Sequence, residues 1–166
     1  ADTGVVLTTR SSGDGTPYQI KLLRNFNGSI KLLYGSKLTI DVIECDALPS
    51  ANELVVAIDA QTGSTTPAIM YVSNTKIRVD GVETTMPLAY ATMNSVSGLY
   101  KAVASYNTSY YATMTEAIAA AVADGQTYAA VTILDNTAEC PVEYYIVNDT
   151  LAKKPASITV GDNVYY

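Results

Sequence analysis

The chain has 166 residues, 48% of them apolar and 16% charged, with a net charge of −6 and 13 tyrosines. So much apolar side chain can fill a sizeable core, and so few charges leave the surface to Thr, Ser, Asn and Tyr. There is no histidine, which excludes Ser-His-Asp and Cys-His nucleophile pairs, imidazole acid–base chemistry and histidine-bearing zinc sites.

The charge is unevenly placed. Ala1–Lys37 carries five cations and two anions, whereas Leu38–Asp149 carries 13 acids against Lys76, Arg78 and Lys101. A basic head on an acidic body makes a poor reader of nucleic acid, because the body repels phosphate. It could instead attract the acidic body of a neighbouring copy, the competing reading being chance and ordinary solvation of strands. No apolar run approaches the 18 or so residues of a membrane span, so none is expected. A weakly charged, Tyr- and Thr-rich surface suits exported proteins that lie side by side, which places the chain outside the cell, on a cell surface or on a virion.

Val5–Thr9 is short, β-branched and extended in preference, and Ser11–Pro17 is a cluster of turn residues. Residues 1–17 therefore read as a strand on a flexible joint, and residues 18–166 as the body. Strands are predicted at Tyr18–Leu23, Ser29–Leu33, Lys37–Ile43, Glu53–Asp59, Ala68–Val72, Lys76–Val79 and Gly98–Ser105. Turn signals fall at Gly35, Pro49–Asn52, Thr62–Ser64 and Asp80–Gly81. Short strands divided by turns, without helices between them, describe a β-sandwich of jelly-roll or immunoglobulin-like kind.

One helix is expected near residues 114–124. Thr113 and Glu116 have the spacing of a capping box, an alanine-rich run follows, and Asp124–Gly125 supplies the stop. Ile118 and Val122, four apart, are expected to share its buried face. Strands are predicted again at Ala129–Leu134, Val142–Val147, Ser157–Val160 and Asn163–Tyr166. The chain is thus mainly β with a single inserted helix. The rival arrangement is two small domains divided near Tyr106. Residues 103–111 also resemble residues 158–166, which suggests that the last segment of the sequence is another strand of like kind.

Tyr111–Ile118 leads through Asp124–Gly125 to Val131–Leu134, and this stretch resembles a strand–helix–strand unit of bacterial surface proteins. The detached Val5–Thr9 strand, the Gly13–Pro17 joint, the Tyr/Thr-rich body and the charge asymmetry together resemble subunits of extracellular filaments and tubes built by donor-strand exchange. That resemblance implies a non-enzymatic structural subunit whose partners are copies of itself. Val5, Val6, Leu7, Thr8 and Thr9 would be the interface, with residues 1–12 leaving their own subunit for the next. The competing reading makes Val5–Thr9 the first strand of its own sandwich. Alternative functions are a phage capsid decoration or fibre module, and a cell-surface adhesion or carbohydrate-binding domain.

The remaining candidates are chemical. Asp41, Glu44 and Asp46, then Asp80 and Glu83, then Asp135 and Glu139 are clustered acids of the kind that ligate Ca²⁺ from loops. The competing reading makes them solvated acids in turns; no cofactor is required, and Ca²⁺ is the one ion they could hold. Paired carboxylates of glycosidase type are the strongest enzyme hypothesis, but the acids are scattered in turns and the chain is read as non-enzymatic. Cys45 and Cys140 would form one disulfide in an oxidising compartment, against a reading as two buried free thiols. Asn27, Asn107 and Asn148 stand in N-glycosylation sequons. Of the paired tyrosines at 110/111, 144/145 and 165/166, one member should face inward and one outward.

Overall fold

The computed structural model describes residues 5–9, 16–61 and 66–165. Most of the expected joint after Thr9 and the expected turn at Thr62–Ser64 lie outside the described residues, as does Ala1–Gly4. In chain order the first ten strands are β1 (Val5–Thr8), β2 (Tyr18–Arg24), β3 (Gly28–Leu32), β4 (Lys37–Glu44), β5 (Leu54–Ala60), β6 (Ile69–Tyr71), β7 (Lys76–Val79), β8 (Val82–Thr85), β9 (Leu88–Met93) and β10 (Val96–Lys101). They form two sheets. One runs β1-β3-β5-β10-β9; the other runs β2-β4-β7-β8, with β6 also paired to β4. Side chains alternate along a strand, so Ile30 and Leu32 of β3, Val56 and Ile58 of β5, Leu38 and Ile40 of β4 and Ile77 of β7 all point to one side. They meet in a single buried cluster between the sheets.

From β1 to β6 the chain changes sheet at every strand. Strands β2 to β5 therefore each serve as the crossover joining two parallel neighbours in the opposite sheet, and β1–β3, β3–β5, β2–β4 and β4–β6 are all parallel. Parallel neighbours need a crossover of about a dozen residues, usually a helix; here a facing strand fills that role. The hairpins β7–β8 and β9–β10 add antiparallel pairs. The body is mainly β and sandwich-like, with one short helix, as expected. Its parallel pairing differs from jelly-roll and immunoglobulin-like sheets, which are antiparallel.

One edge of β4 is shared by two strands: Lys37–Thr39 pairs with β6, and Val42–Glu44 with β7. Between them the Ile40 carbonyl takes a hydrogen bond of 2.6 Å from the hydroxyl of Thr75, which is itself buried. The side chain thus bridges a gap in the ladder. Thr75→Val should cost about 1–3 kcal/mol, because it leaves a buried carbonyl without that donor. Thr75→Ser should keep most of the stability, and urea denaturation of the two variants checks the difference.

After β10 the elements are β11 (Ala104–Tyr106), β12 (Ser109–Tyr111), α1 (Met114–Ala123), a 3₁₀ turn at Tyr128–Ala130, β13 (Thr132–Ile133), β14 (Tyr144–Val147), β15 (Thr150–Lys153), β16 (Ile158–Val160) and β17 (Asn163–Tyr165). Two expectations change here. The span Gly98–Ser105 is two strands, interrupted at Ala102–Val103, and Ala129–Leu134 begins as the 3₁₀ turn. Strands β8, β9, β12 and β15 were not foreseen. The two similar segments both form hairpins, β11–β12 and β16–β17.

The helix ends follow from the sequence. The Thr113 hydroxyl accepts from the Glu116 backbone N–H at 3.2 Å and donates to the Glu116 carboxylate at 3.0 Å. At the other end Gly125 has φ +75, its N–H bonds to the Val122 carbonyl, and the Gln126 N–H bonds to the Ala121 carbonyl. That pair of bonds is the Schellman stop. The buried face differs from the expected one. It is Met114, Ala117, Ile118 and Ala121, while Val122 is 57% exposed. At about 100° per residue, Val122 lies roughly 90° from the centre of that stripe. The two buried alanines let the helix sit close to β11.

The helix face packs with Val103, Ala104, Val131, Ala138 and Leu151 into a second core. A small cluster of Ala89, Ala91, Tyr100, Ala102 and Ala112 lies where β9 and β10 meet β12. The chain passes from the first core to the second at Ala102–Val103, a few residues before the boundary considered at Tyr106. Lys101, at the end of β10, reaches Asp135, just beyond β13, at 2.5 Å. This ion pair ties the two parts together.

Candidate functional site

β1 is the outermost strand of its sheet. Its residues Val5, Val6, Leu7 and Thr8 stand opposite Gly28, Ser29, Ile30 and Lys31. Leu7 and Thr8 are exposed. Thr9 anchors the end of the strand. Its N–H bonds to the Lys31 carbonyl at 3.0 Å, and its hydroxyl accepts from the Leu33 N–H at 3.2 Å and donates to Ser36 Oγ at 2.8 Å. Ser36 is fully buried. In the single chain, then, β1 is the first strand of its own sheet, paired on one side and clamped at one end. Of the basic head, Arg24 is already matched within the chain by Glu44 at 3.0 Å.

Four of the seven candidate metal ligands share one cleft. Glu44, Asp46, Asp80 and Glu83 line a depression of about 810 Å³ together with Arg24, Asn25, Cys45 and Arg78. The arginines decide its chemistry. Arg24, Glu44, Arg78 and Glu83 stand directly opposite one another on the neighbouring strands β2, β4, β7 and β8. They form a ladder of alternating charge, with Arg78 at 3.7 Å from Glu44 and 2.6 Å from Glu83, and Lys76 at 3.5 Å from Glu83. The hydrogen bond from Arg78 holds the Glu83 carboxyl below its usual range and raises the guanidinium in return. Glu44 and Glu83 are thus engaged by cations rather than free to ligate one.

The other three acids lie apart. Asp41 accepts from Gln19 Nε2 at 2.9 Å. Asp135 is held by Lys101 and by the hydroxyl and N–H of Thr137, which push its carboxyl down to about 2. Glu139 is exposed beside Cys140 in a separate depression. Among the described residues no three Asp, Glu, Cys or His side chains gather as a metal site. Glu44 and Glu83 are paired with cations, Asp41, Asp135 and Glu139 lie apart, and Asp46 and Asp80 alone remain in the cleft, so the expected Ca²⁺ ligands do not gather around a common point.

The disulfide is corrected as well. Cys45 and Cys140 are free thiols, and Cys45 packs on the first core while Cys140 packs on the second. Burial raises both thiols, and Glu53 and Asp46 raise Cys45 further. Thiols so shifted stay protonated and are weak nucleophiles. Asn27, Asn107 and Asn148 are all exposed. Asn107 and Asn148 adopt positive φ in hairpin turns, where Asn is well tolerated. Two of the three tyrosine pairs divide as anticipated: Tyr111 and Tyr144 pack on the second core, whereas Tyr110 and Tyr145 are exposed; the side chains of the pair at 165/166 lie outside the described residues. Among the described residues no helix is long and apolar enough to cross a membrane.

Sequence alone missed Arg24 and Arg78, which are far apart in the chain and meet Glu44 only through strand register. Comparison with protein-family models, with curated proteins and with solved structures finds no match.

Proposed function

We propose that the chain is a non-enzymatic structural subunit of an extracellular filament, tube or surface assembly, polymerising through its N-terminal strand. The observation that supports this most directly is the seat of β1. It is an edge strand paired along one side, with an exposed Leu7 and a single hydroxyl clamp at Thr9. An identical strand from a neighbouring copy could enter the same seat with the same register and regain every one of those bonds. Such strand addition satisfies the open edge of β3. A head-to-tail contact of this kind propagates unless its rotation closes a ring.

Negative-stain microscopy of the full chain and of a variant lacking residues 1–12 tests the reading. The full chain should form filaments or tubes, and the shortened chain should stay monomeric. A synthetic peptide of residues 1–12, added in trans, should bind the shortened chain and raise its melting temperature by several degrees. Polymers that form unchanged without residues 1–12, or a full chain that never polymerises, would sink the proposal. So would a peptide without effect on a folded shortened chain.

A further inference from the structure

A third depression has a different character. It measures about 380 Å³ and lies between β6, β9 and the β11–β12 hairpin, where the two cores meet. Tyr71, Tyr90 and Tyr110 come to it from three separate elements, and Ser73, Thr108 and Ser109 add hydroxyls. No Asp, Glu, Lys or Arg lines it. Its size is at the lower end of small-ligand sites, and such sites favour junctions between structural units.

The three tyrosines are 46%, 38% and 43% exposed, so they are not core residues that happen to reach the surface. Tyr90 is also pinned. Its hydroxyl accepts from the Ala60 N–H and donates to the Ile58 carbonyl, both at 3.3 Å. Tyr90 belongs to β9 and these groups to β5, with β10 between the two strands. The hydroxyl thus bridges backbone groups of β5, and the ring is held in place before any ligand arrives. Aromatic side chains carry large contact area at a small entropic cost, and a fixed ring lowers that cost further.

We propose that this cleft binds a neutral saccharide. Aromatic faces suit the apolar C–H faces of pyranose rings, the hydroxyls of Ser73, Thr108, Ser109 and the exposed tyrosines suit the sugar's hydroxyl edge, and uncharged walls favour a neutral over an anionic ligand. The sugar has two potential sources. One is free or neighbouring polysaccharide. The other is a glycan on Asn107, whose sequon residues Thr108 and Ser109 line the cleft. This site is independent of strand exchange at β1.

The test begins with unglycosylated protein and three neutral hexasaccharides, of β-1,4-glucose, β-1,4-N-acetylglucosamine and α-mannose, beside an oligogalacturonate as the acidic control. Titration is followed by tyrosine fluorescence and by calorimetry. At least one neutral probe should bind with a Kd below about 1 mM, and Tyr71→Ala and Tyr110→Ala should each weaken it tenfold or more. Both residues are exposed, and Val82→Ala on β8, away from the cleft, should change nothing. A second arm uses protein from a secretory host that glycosylates asparagine. If that protein refuses the probe and Asn107→Gln restores binding, the tethered glycan is the occupant; if it binds the probe equally well, the free sugar is. Failure of every neutral probe at 5 mM would overturn the proposal. So would binding indifferent to both tyrosine substitutions, or substitutions that abolish self-association while leaving sugar affinity intact.

Discussion

Gly98→Ala is expected to cost about 3 kcal/mol or more of stability. Gly98 sits in β10, within the sheet, opposite Ala57 on one side and Ala91 on the other. A Cβ there would lie 2.2 Å from the Val56 carbonyl oxygen, 2.7 Å from Leu54 Cδ1 and 3.0 Å from the Ala57 Cα. A leucine methyl can swing aside, but a carbonyl held within a five-stranded sheet moves only with its strand. The pairing of β10 with β5 already shifts register between Leu99 and Tyr100, so the strain falls where the ladder is irregular. The melting temperature should drop by roughly 6–12 °C for a chain of this size. Gly81→Ala is the control. Gly81 has φ +78 but open space around its Cβ position, so its cost should be the backbone term alone, about 1–2 kcal/mol. Gly98 has no such backbone term, so a Gly98→Ala variant as stable as the wild type would show that its crowding is relieved without cost.

Lys101→Met should destabilise the chain by about 2 kcal/mol at neutral pH, through Asp135. The Asp135 side chain is 9% exposed and that of Lys101 is 23% exposed. Removing the cation leaves a largely buried carboxylate with only its Thr137 contacts, an outcome costlier than loss of a surface pair. The pH dependence follows from the direction of the shift. Asp135 is lowered from 3.8 to about 2 in the folded chain, chiefly by Lys101. A depressed carboxyl stabilises the fold above its unfolded value and loses that contribution as pH falls through its folded value. Wild type should therefore lose part of its stability between about pH 4 and pH 2, and the gap to Lys101→Met should close over the same window. Denaturation midpoints measured from pH 7 to pH 2 would show it. A gap that stays constant down to pH 2 would mean that Lys101 acts through packing alone.

The charge ladder and the Lys101–Asp135 pair differ in how they couple the molecule. The charge ladder of Arg24, Glu44, Arg78 and Glu83 runs across one sheet and is partly open to solvent, where screening limits its worth. The Lys101–Asp135 pair joins β10 to the region after β13. Its loss should loosen the second core relative to the first, which limited proteolysis of Lys101→Met would reveal as earlier cleavage near Ala102–Val103.

Local chemistry was legible in the sequence. The cap at Thr113 and Glu116 and the stop at Gly125 were read correctly, because they depend on residues within a few positions of one another. Most early strands were placed to within a residue or two, since period-two alternation is a local signal. The Asp80–Gly81 turn was read from its residue types, and both residues adopt positive φ. The division of the tyrosine pairs at 110/111 and 144/145 followed from alternation alone.

What failed was non-local. Strand β9 escaped notice because Leu88–Met93 mixes a buried Leu88, Ala89 and Ala91 with exposed Tyr90 and Thr92, and its small buried residues answer to neighbours on β10 and β12. Val122 was assigned to the core by spacing, yet the helix turned its alanines inward to approach β11. The acids near Cys45 looked like cation ligands because Arg24 and Arg78 lie some twenty and thirty residues away in sequence. Composition, turn chemistry and helix caps are properties of neighbouring residues, and the sequence by itself determined them. Parallel pairing through the facing sheet, the charge ladder, the separation of the two cysteines into different cores and the tyrosine-lined cleft were decided only by the tertiary structure. Each depends on which strand lies beside which, and an alternating pattern specifies a buried face without naming the partner that covers it.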